Sequence, residues 1–192
     1  MLKIRHQITV PTLLCAVAAV ALISPASASA QDQTSPEATT PLIVTGIDLA
    51  VAESAGADIR TTKAGEDVVT FPSGLVLRAK DGIVAPSQRG TVVGNCGTAN
   101  VAGNRSNRKF STGYTIYESH GRPGSHVWSV TVSTSNSVAA HNVSGLASSL
   151  STSWNSGWKD INQAGSINSM LASGHALTTF GLICSAGNPT WK

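Results

Sequence analysis

The stretch Ser153-Trp154-Asn155-Ser156-Gly157-Trp158, with Asp160 two residues on, carries the side chains of this chain best suited to holding a ligand. Indole rings stack on the apolar faces of sugars, and an amide and a carboxylate beside them take up hydrogen bonds from hydroxyls. Trp154, Asn155, Trp158 and Asp160 are therefore the candidate binding residues. The competing role for the two tryptophans is core filling, because a small β domain short of large apolar residues draws on tryptophan for its interior. A second candidate is Asn104-Arg105-Ser106-Asn107-Arg108-Lys109, a polar loop with three positive charges. Arg105, Arg108 and Lys109, joined by Arg122, would make a weak, salt-sensitive anion-binding surface for phosphate or teichoic acid polymers. So few cations point away from specific nucleic-acid recognition, and the plain alternative is a solvated turn.

Other chemistries find little support. From Thr91 onward the only carboxylates are Glu118 and Asp160, whereas glycoside hydrolysis needs a pair flanking the bond, about 5–10 Å apart. No Gly-x-Ser-x-Gly elbow is present. Serines are abundant and His120, His126, His141 and His175 are available, so a hydrolase with a dispersed Ser/His site stays open as an alternative. His120 and His126 are separated by a Gly-Arg-Pro-Gly turn, which is not a metal-ligand spacing, and no acidic calcium loop occurs. No catalytic residue, metal or cofactor is expected.

The elements that must position these residues begin with an export signal. Lys3 and Arg5 precede an apolar run from Ile8 to Ile23, which ends in Ser24-Pro25-Ala26-Ser27-Ala28-Ser29-Ala30. Charge, apolar run and small-residue exit define a secretory signal peptide over residues 1–30, cleaved after Ala30 or Ala28. The run of about 16 residues is short of the roughly 20 that span a bilayer, so the product is expected to be secreted, with no membrane attachment after cleavage. Cys15 leaves with the signal peptide, and Cys96 and Cys184 remain. In an oxidising compartment such an isolated pair forms a disulfide. The loop it closes, about a hundred residues, corresponds to about 4–5 kcal/mol of chain entropy.

Residues 31–40 (QDQTSPEATT) read as a flexible leader. Residues 41–84 form a small α+β segment. Asp48 caps a helix from Leu49 to Ala55 that Gly56 stops, and short extended pieces follow at Asp58–Thr62, Val68–Phe71 and Leu75–Ala79. Residues 85–90 read as an exposed linker. Charge differs across it: residues 31–90 carry eight carboxylates against five cations, net −3, and residues 91–192 carry two against six, net +4.

From Thr91 the pattern is β. Phe110, Thr112, Tyr114 and Ile116 alternate with polar or small residues, as do Trp128, Val130 and Val132. Ala176, Thr178, Phe180, Leu182 and Cys184 are expected on one face of a single strand. Short strands with Gly and Asn turns define residues 91–192 as a disulfide-clamped antiparallel β-sandwich or barrel-like domain. Immunoglobulin topology is not expected, because Trp128 follows Cys96 by 32 residues and no tyrosine stands two before Cys184.

Gly94-Asn95-Cys96-Gly97, the Tyr- and Ser-rich strand, Val127-Trp128-Ser129-Val130, Trp154 to Trp158 and Leu182-Ile183-Cys184 occur in that order. Over about the last hundred residues this resembles a group of small secreted actinobacterial proteins, mostly uncharacterised. The resemblance implies secretion and a β fold and brings no activity or catalytic residue. The function expected is a secreted, non-catalytic protein that binds a cell-wall or environmental polysaccharide or another protein. The rival is a toxin or inhibitor made as a precursor, with the acidic residues 31–90 as a removable pro-segment ending at Arg89-Gly90.

Overall fold

Alternating apolar and polar side chains fit a pleated strand with one buried face, and strands dominate this chain. The computed structural model describes residues 36–84, 95–148 and 150–192. The signal peptide expected at residues 1–30, the start of the leader and the linker at 85–90 lie outside the described residues. The described chain is mainly β and antiparallel, with one short helix, as its alternation predicts. β1 (Ala38–Ile47) leads into α1 (Leu49–Ser54). The meander β2 (Asp58–Thr61), β3 (Asp67–Thr70), β4 (Val76–Lys80) and β5 (Ile83–Val84) follows. Next come β6 (Asn95–Asn104), β7 (Lys109–Ile116), a 3-10 turn at Glu118–His120, β8 (Pro123–Thr134), β9 (Val138–Asn142) and β10 (Gly145–Leu146). The chain closes with β11 (Ser153–Asn155), β12 (Lys159–Asp160), β13 (Ile167–Thr178), β14 (Leu182–Ala186) and β15 (Thr190–Trp191).

The helix and meander follow their local signals. Asp48 accepts a hydrogen bond from the Val51 N–H at 3.2 Å, which caps one of the first-turn donors of α1. Val69, Leu77 and Ala79 turn inward from the meander, as period two requires.

β1 is the element that the sequence does not announce. It takes in residues 38–40 of the leader expected to be flexible, and Leu42, Val44 and Ile47 of this strand are buried. Its physical signal is the short run Leu42-Ile43-Val44-Thr45, rich in β-branched residues but prefaced by Thr and Pro that read as loop. One edge of β1 pairs with β14, Leu42 opposite Ala186 and Ile47 opposite Leu182. The other edge pairs first with β6, Ala38 opposite Val101 and Leu42 opposite Gly97, and then with β5 through Gly46 and Ile83. The Cys96–Cys184 disulfide, with Cα atoms 6.0 Å apart, joins β6 to β14, the two strands that flank β1. Residues on both sides of the expected linker therefore belong to one sheet, within the single unit Asp32–Lys192.

A second expectation is corrected at the C-terminal end. Ala176 to Cys184 is not one strand but the β13–β14 hairpin, in which Ala176 pairs across from Cys184. Gly181 turns the chain at φ +78°, a conformation that costs glycine little. The Thr178 hydroxyl then accepts from the N–H groups of Phe180 and Leu182 at 3.2 and 3.1 Å. Ala176, Thr178, Leu182 and Cys184 are all buried nonetheless, because cross-strand neighbours share a face as i and i+2 residues do.

Two cores result. Leu42, Val44, Tyr114, Trp128, Leu182 and both cysteines anchor the larger one, whereas Phe110, Val130, Met170 and Trp191 belong to the other. β7 and β8 contribute to both, so one strand pair positions side chains along the whole cleft described next.

Candidate functional site

The inward residues of β7 and β8 run out of apolar type where Tyr114 meets His126, and a cleft of about 630 Å³ opens beside them. Its wall comes from β7, β8, β9, β10, β11, β12 and the connections around them. Trp154, Asn155 and Asp160 of the expected set line it; Trp158 does not, standing 47% exposed beyond Gly157, where the β11–β12 path breaks. Trp154 has both roles weighed from the sequence: half-buried, it packs against the larger core while lining the cleft. Its ring lies 4.1 Å from that of His126 and 5.4 Å from that of Tyr114, centre to centre. β11 reaches this position because Gly113 has no side chain. A Cβ there would sit 2.4 Å from the Trp154 carbonyl oxygen, closer than atoms tolerate.

Polar groups of the wall divide into those already committed and those free to meet a ligand. The Tyr114 hydroxyl and His126 Nδ1 are 3.1 Å apart, and His126 Nε2 is 3.1 Å from the Val143 carbonyl. A carbonyl only accepts, so Nε2 carries the proton and Nδ1 accepts from Tyr114. Burial lowers the His126 pKa, with the hydrogen bond to Val143 opposing, and burial raises that of Tyr114, so both are neutral at pH 7. With both nitrogens engaged, His126 is a fixed wall rather than a free base. Gln163 donates from Nε2 to the Val132 carbonyl at 3.2 Å, which leaves its Oε1 as acceptor for His141 Nε2 at 3.1 Å. His141 Nδ1 is then an acceptor with no protein partner among the described residues. Asn155 Oδ1 accepts from the Gly157 N–H at 2.7 Å and Asn142 Oδ1 from the Ser144 N–H at 2.8 Å. Each fixed amide therefore presents its NH₂ group unbonded. Asp160, 3.6 Å from Lys109, and the exposed Lys159 complete the polar side.

The four basic candidates are not one surface. Lys109 pairs with Asp160, and Arg122 lies in the connection before β8, with a guanidinium nitrogen 3.5 Å from the Leu150 carbonyl. Arg105 and Arg108 both reach toward residues 163–167. Among the described residues one serine meets a histidine ring, Ser119 Oγ to His120 Nδ1 at 2.9 Å. His120 Nε2, however, is buried without a partner. No group of three or more His, Cys, Asp or Glu side chains able to hold a metal occurs among the described residues.

Sequence reasoning weighs His126 and His141 only for hydrolysis or metal binding and passes over Asn142, Lys159 and Asn162 as ligand-binding residues, yet all five line the cleft. His126 had a usable signal: it shares parity with Trp128, Val130 and Val132, so strand β8 must turn it inward. Nothing local marks Asn142 or Asn162, which arrive through pairing between distant strands. No family model matches the chain, and no curated protein or solved structure matches it.

Proposed function

We propose that this is a secreted, non-catalytic binding protein whose Trp154 cleft takes a saccharide segment of a cell-wall or environmental polysaccharide. The observation that carries the reading is the half-buried Trp154 ring set beside two oriented amides, Asn142 and Asn155, whose NH₂ groups have no protein partner. Sugars offer what this wall lacks: an apolar ring face for indole and hydroxyls for amide donors, His141 Nδ1 and Asp160. Export rests on the signal peptide at residues 1–30, on the likeness to secreted actinobacterial proteins, and on an intrachain disulfide of the kind oxidising compartments sustain. Among the described residues no helix is long and apolar enough to cross a membrane.

The precursor reading meets an obstacle in β1. Removing residues 31–90 would take a strand from between β6 and β14 and expose Leu182, Cys184 and their neighbours to water.

Titration of the full oxidised chain with neutral oligosaccharides of cellulose, chitin and peptidoglycan type, followed by tryptophan emission, tests the proposal. Saturable quenching is expected with one class. Asn155→Ala should weaken it about tenfold, the loss of one or two hydrogen bonds to the sugar, with only a small drop in melting temperature, since the bonds its Oδ1 accepts from Gly157 N–H and Ser111 Oγ are exposed. Emission indifferent to every sugar, or equal affinity in Asn155→Ala, would overturn it.

A further inference from the structure

The hairpin turn between β6 and β7 places two arginines three residues apart on a rigid frame. Asn104, almost fully buried, accepts from the Asn107 N–H at 2.9 Å and from Ser106 Oγ at 2.8 Å, and Arg108 adopts φ +51°. The turn is thus fixed from inside, and both guanidiniums are then fixed from outside. Arg105 donates from Nε to the Ile167 carbonyl at 3.2 Å, with its guanidinium 4.4 Å above the Trp191 ring. Arg108 donates from its two terminal nitrogens to the carbonyls of Gly165 (2.9 Å) and Gln163. Carbonyls orient a guanidinium without cancelling its charge. Among the described residues no carboxylate pairs with either arginine, although Lys109, next in sequence, has Asp160.

Arg105, Arg108, Gly165, Ser166 and Ile167 line an open cleft of about 590 Å³, separate from that of Trp154. The residues that line it carry the terminal nitrogens of Arg105, the remaining N–H donors of Arg108 and the unbonded Ser166 hydroxyl. A single planar fork satisfies a carboxylate. One free fork, that of Arg105, together with the N–H donors Arg108 keeps beyond its two carbonyl bonds and a hydroxyl, suits a tetrahedral oxyanion, whose oxygens accept from several directions.

We propose that Arg105, Arg108 and Ser166 form a phosphate-binding site, one that takes the phosphate or phosphodiester of a polymer rather than a carboxylate. It narrows the basic candidates of the loop to the two arginines and leaves Lys109 and Arg122 out. The site does not depend on the saccharide reading, since it shares no residue with the Trp154 cleft.

The test is a titration of the full oxidised chain with inorganic phosphate at constant ionic strength, followed by amide shifts in ¹⁵N-correlation spectra. The Gly165, Ser166 and Ile167 signals should move saturably, and acetate at equal concentration should leave them in place. Arg105→Gln should weaken binding at least tenfold, whereas Lys109→Gln should change it less than twofold. Arg105→Lys keeps one charge beside Trp191 but loses the fork, so it should retain the native spectrum and still bind several-fold more weakly. A synthetic glycerol phosphate oligomer that binds more tightly per phosphate than the free ion identifies a polymer as the source. Affinity equal to that of the free ion identifies a lone phosphate and removes the polymer from the proposal. Shifts that do not saturate, acetate equal to phosphate, or full affinity in the natively folded Arg105→Lys chain would overturn the site. Neutral sugars acting on tryptophan emission report the other cleft, so failure of either reading is seen separately.

Discussion

His120 and His126 set the pH behaviour of this fold through their burial. Both are held below the ordinary histidine value by desolvation, and His120 has an Nε2 with no partner at all. As pH falls, the unfolded chain binds protons at about 6.5 and the native chain only later. Stability is therefore full above about pH 6.5, declines as pH drops through 6.5 toward the lowered native values, and levels off beneath them. Urea midpoints measured from pH 7.5 to 4.5 should trace this decline, and His120→Asn, which cannot titrate, should show a shallower one; an identical slope would locate the effect elsewhere. At the same scale, Trp154→Ala separates packing from binding. Half-buried, Trp154 should cost about 2–3 kcal/mol, under the roughly 3–5 of a fully buried aromatic. Trp154→Phe should recover most of that stability while quenching by sugars disappears with the indole. Stability unchanged in Trp154→Ala would place the ring outside the core.

Strands make the cleft by close approach, and at Gly113 the approach of β11 to β7 leaves no room for a side chain. Gly113→Ala should push β11 from β7, because the new Cβ meets the Trp154 carbonyl. The expected result is a loss of about 1–3 kcal/mol together with weakened sugar binding, read by denaturation and emission on one sample. Wild-type values in both would mean that β11 does not need this contact. Local signals of this kind explain what was legible beforehand. The Asp48 cap, the meander turns, the β7 and β8 alternation and the cysteine pair are all properties of neighbours in sequence or of simple counting, and they appear where expected. The β13–β14 turn was not legible, because parity is the same for one strand as for a hairpin whose partners share a face. Nor was β1, whose strand character comes from having β6, β5 and β14 to pair with. The cleft was half legible: Trp154, Asn155 and Asp160 stand together in sequence, but His126, His141 and Asn142 reach them only through the β7–β11 and β8–β9 pairings.

Across the whole molecule, the placement of β1 decides whether the chain behaves as one body or two. A helix and a short meander bury too little to stand alone. Here they are tied in through a ten-residue strand whose two edges are both occupied, with the disulfide joining the strands on either side. Where the 3-10 turn meets the meander, Ser73 Oγ donates to the Ser119 carbonyl at 2.9 Å, and Phe71 stacks on Phe180 with ring centres 5.8 Å apart. Both contacts bridge residues before 84 to residues after 95. Unfolding in urea should therefore be a single transition, coincident when followed by tryptophan emission and by far-ultraviolet dichroism. Reduction of Cys96–Cys184 should lower stability by about 2–4 kcal/mol without splitting the transition, because the backbone pairing of β1 survives the loss of the crosslink. A chain lacking residues 31–90 should lack the cooperative transition and expose the β14 face to a hydrophobic dye. If that shortened chain instead unfolds cooperatively at the stability of the parent, β1 is dispensable, and the precursor reading, with residues 31–90 as a removable cover, regains its footing.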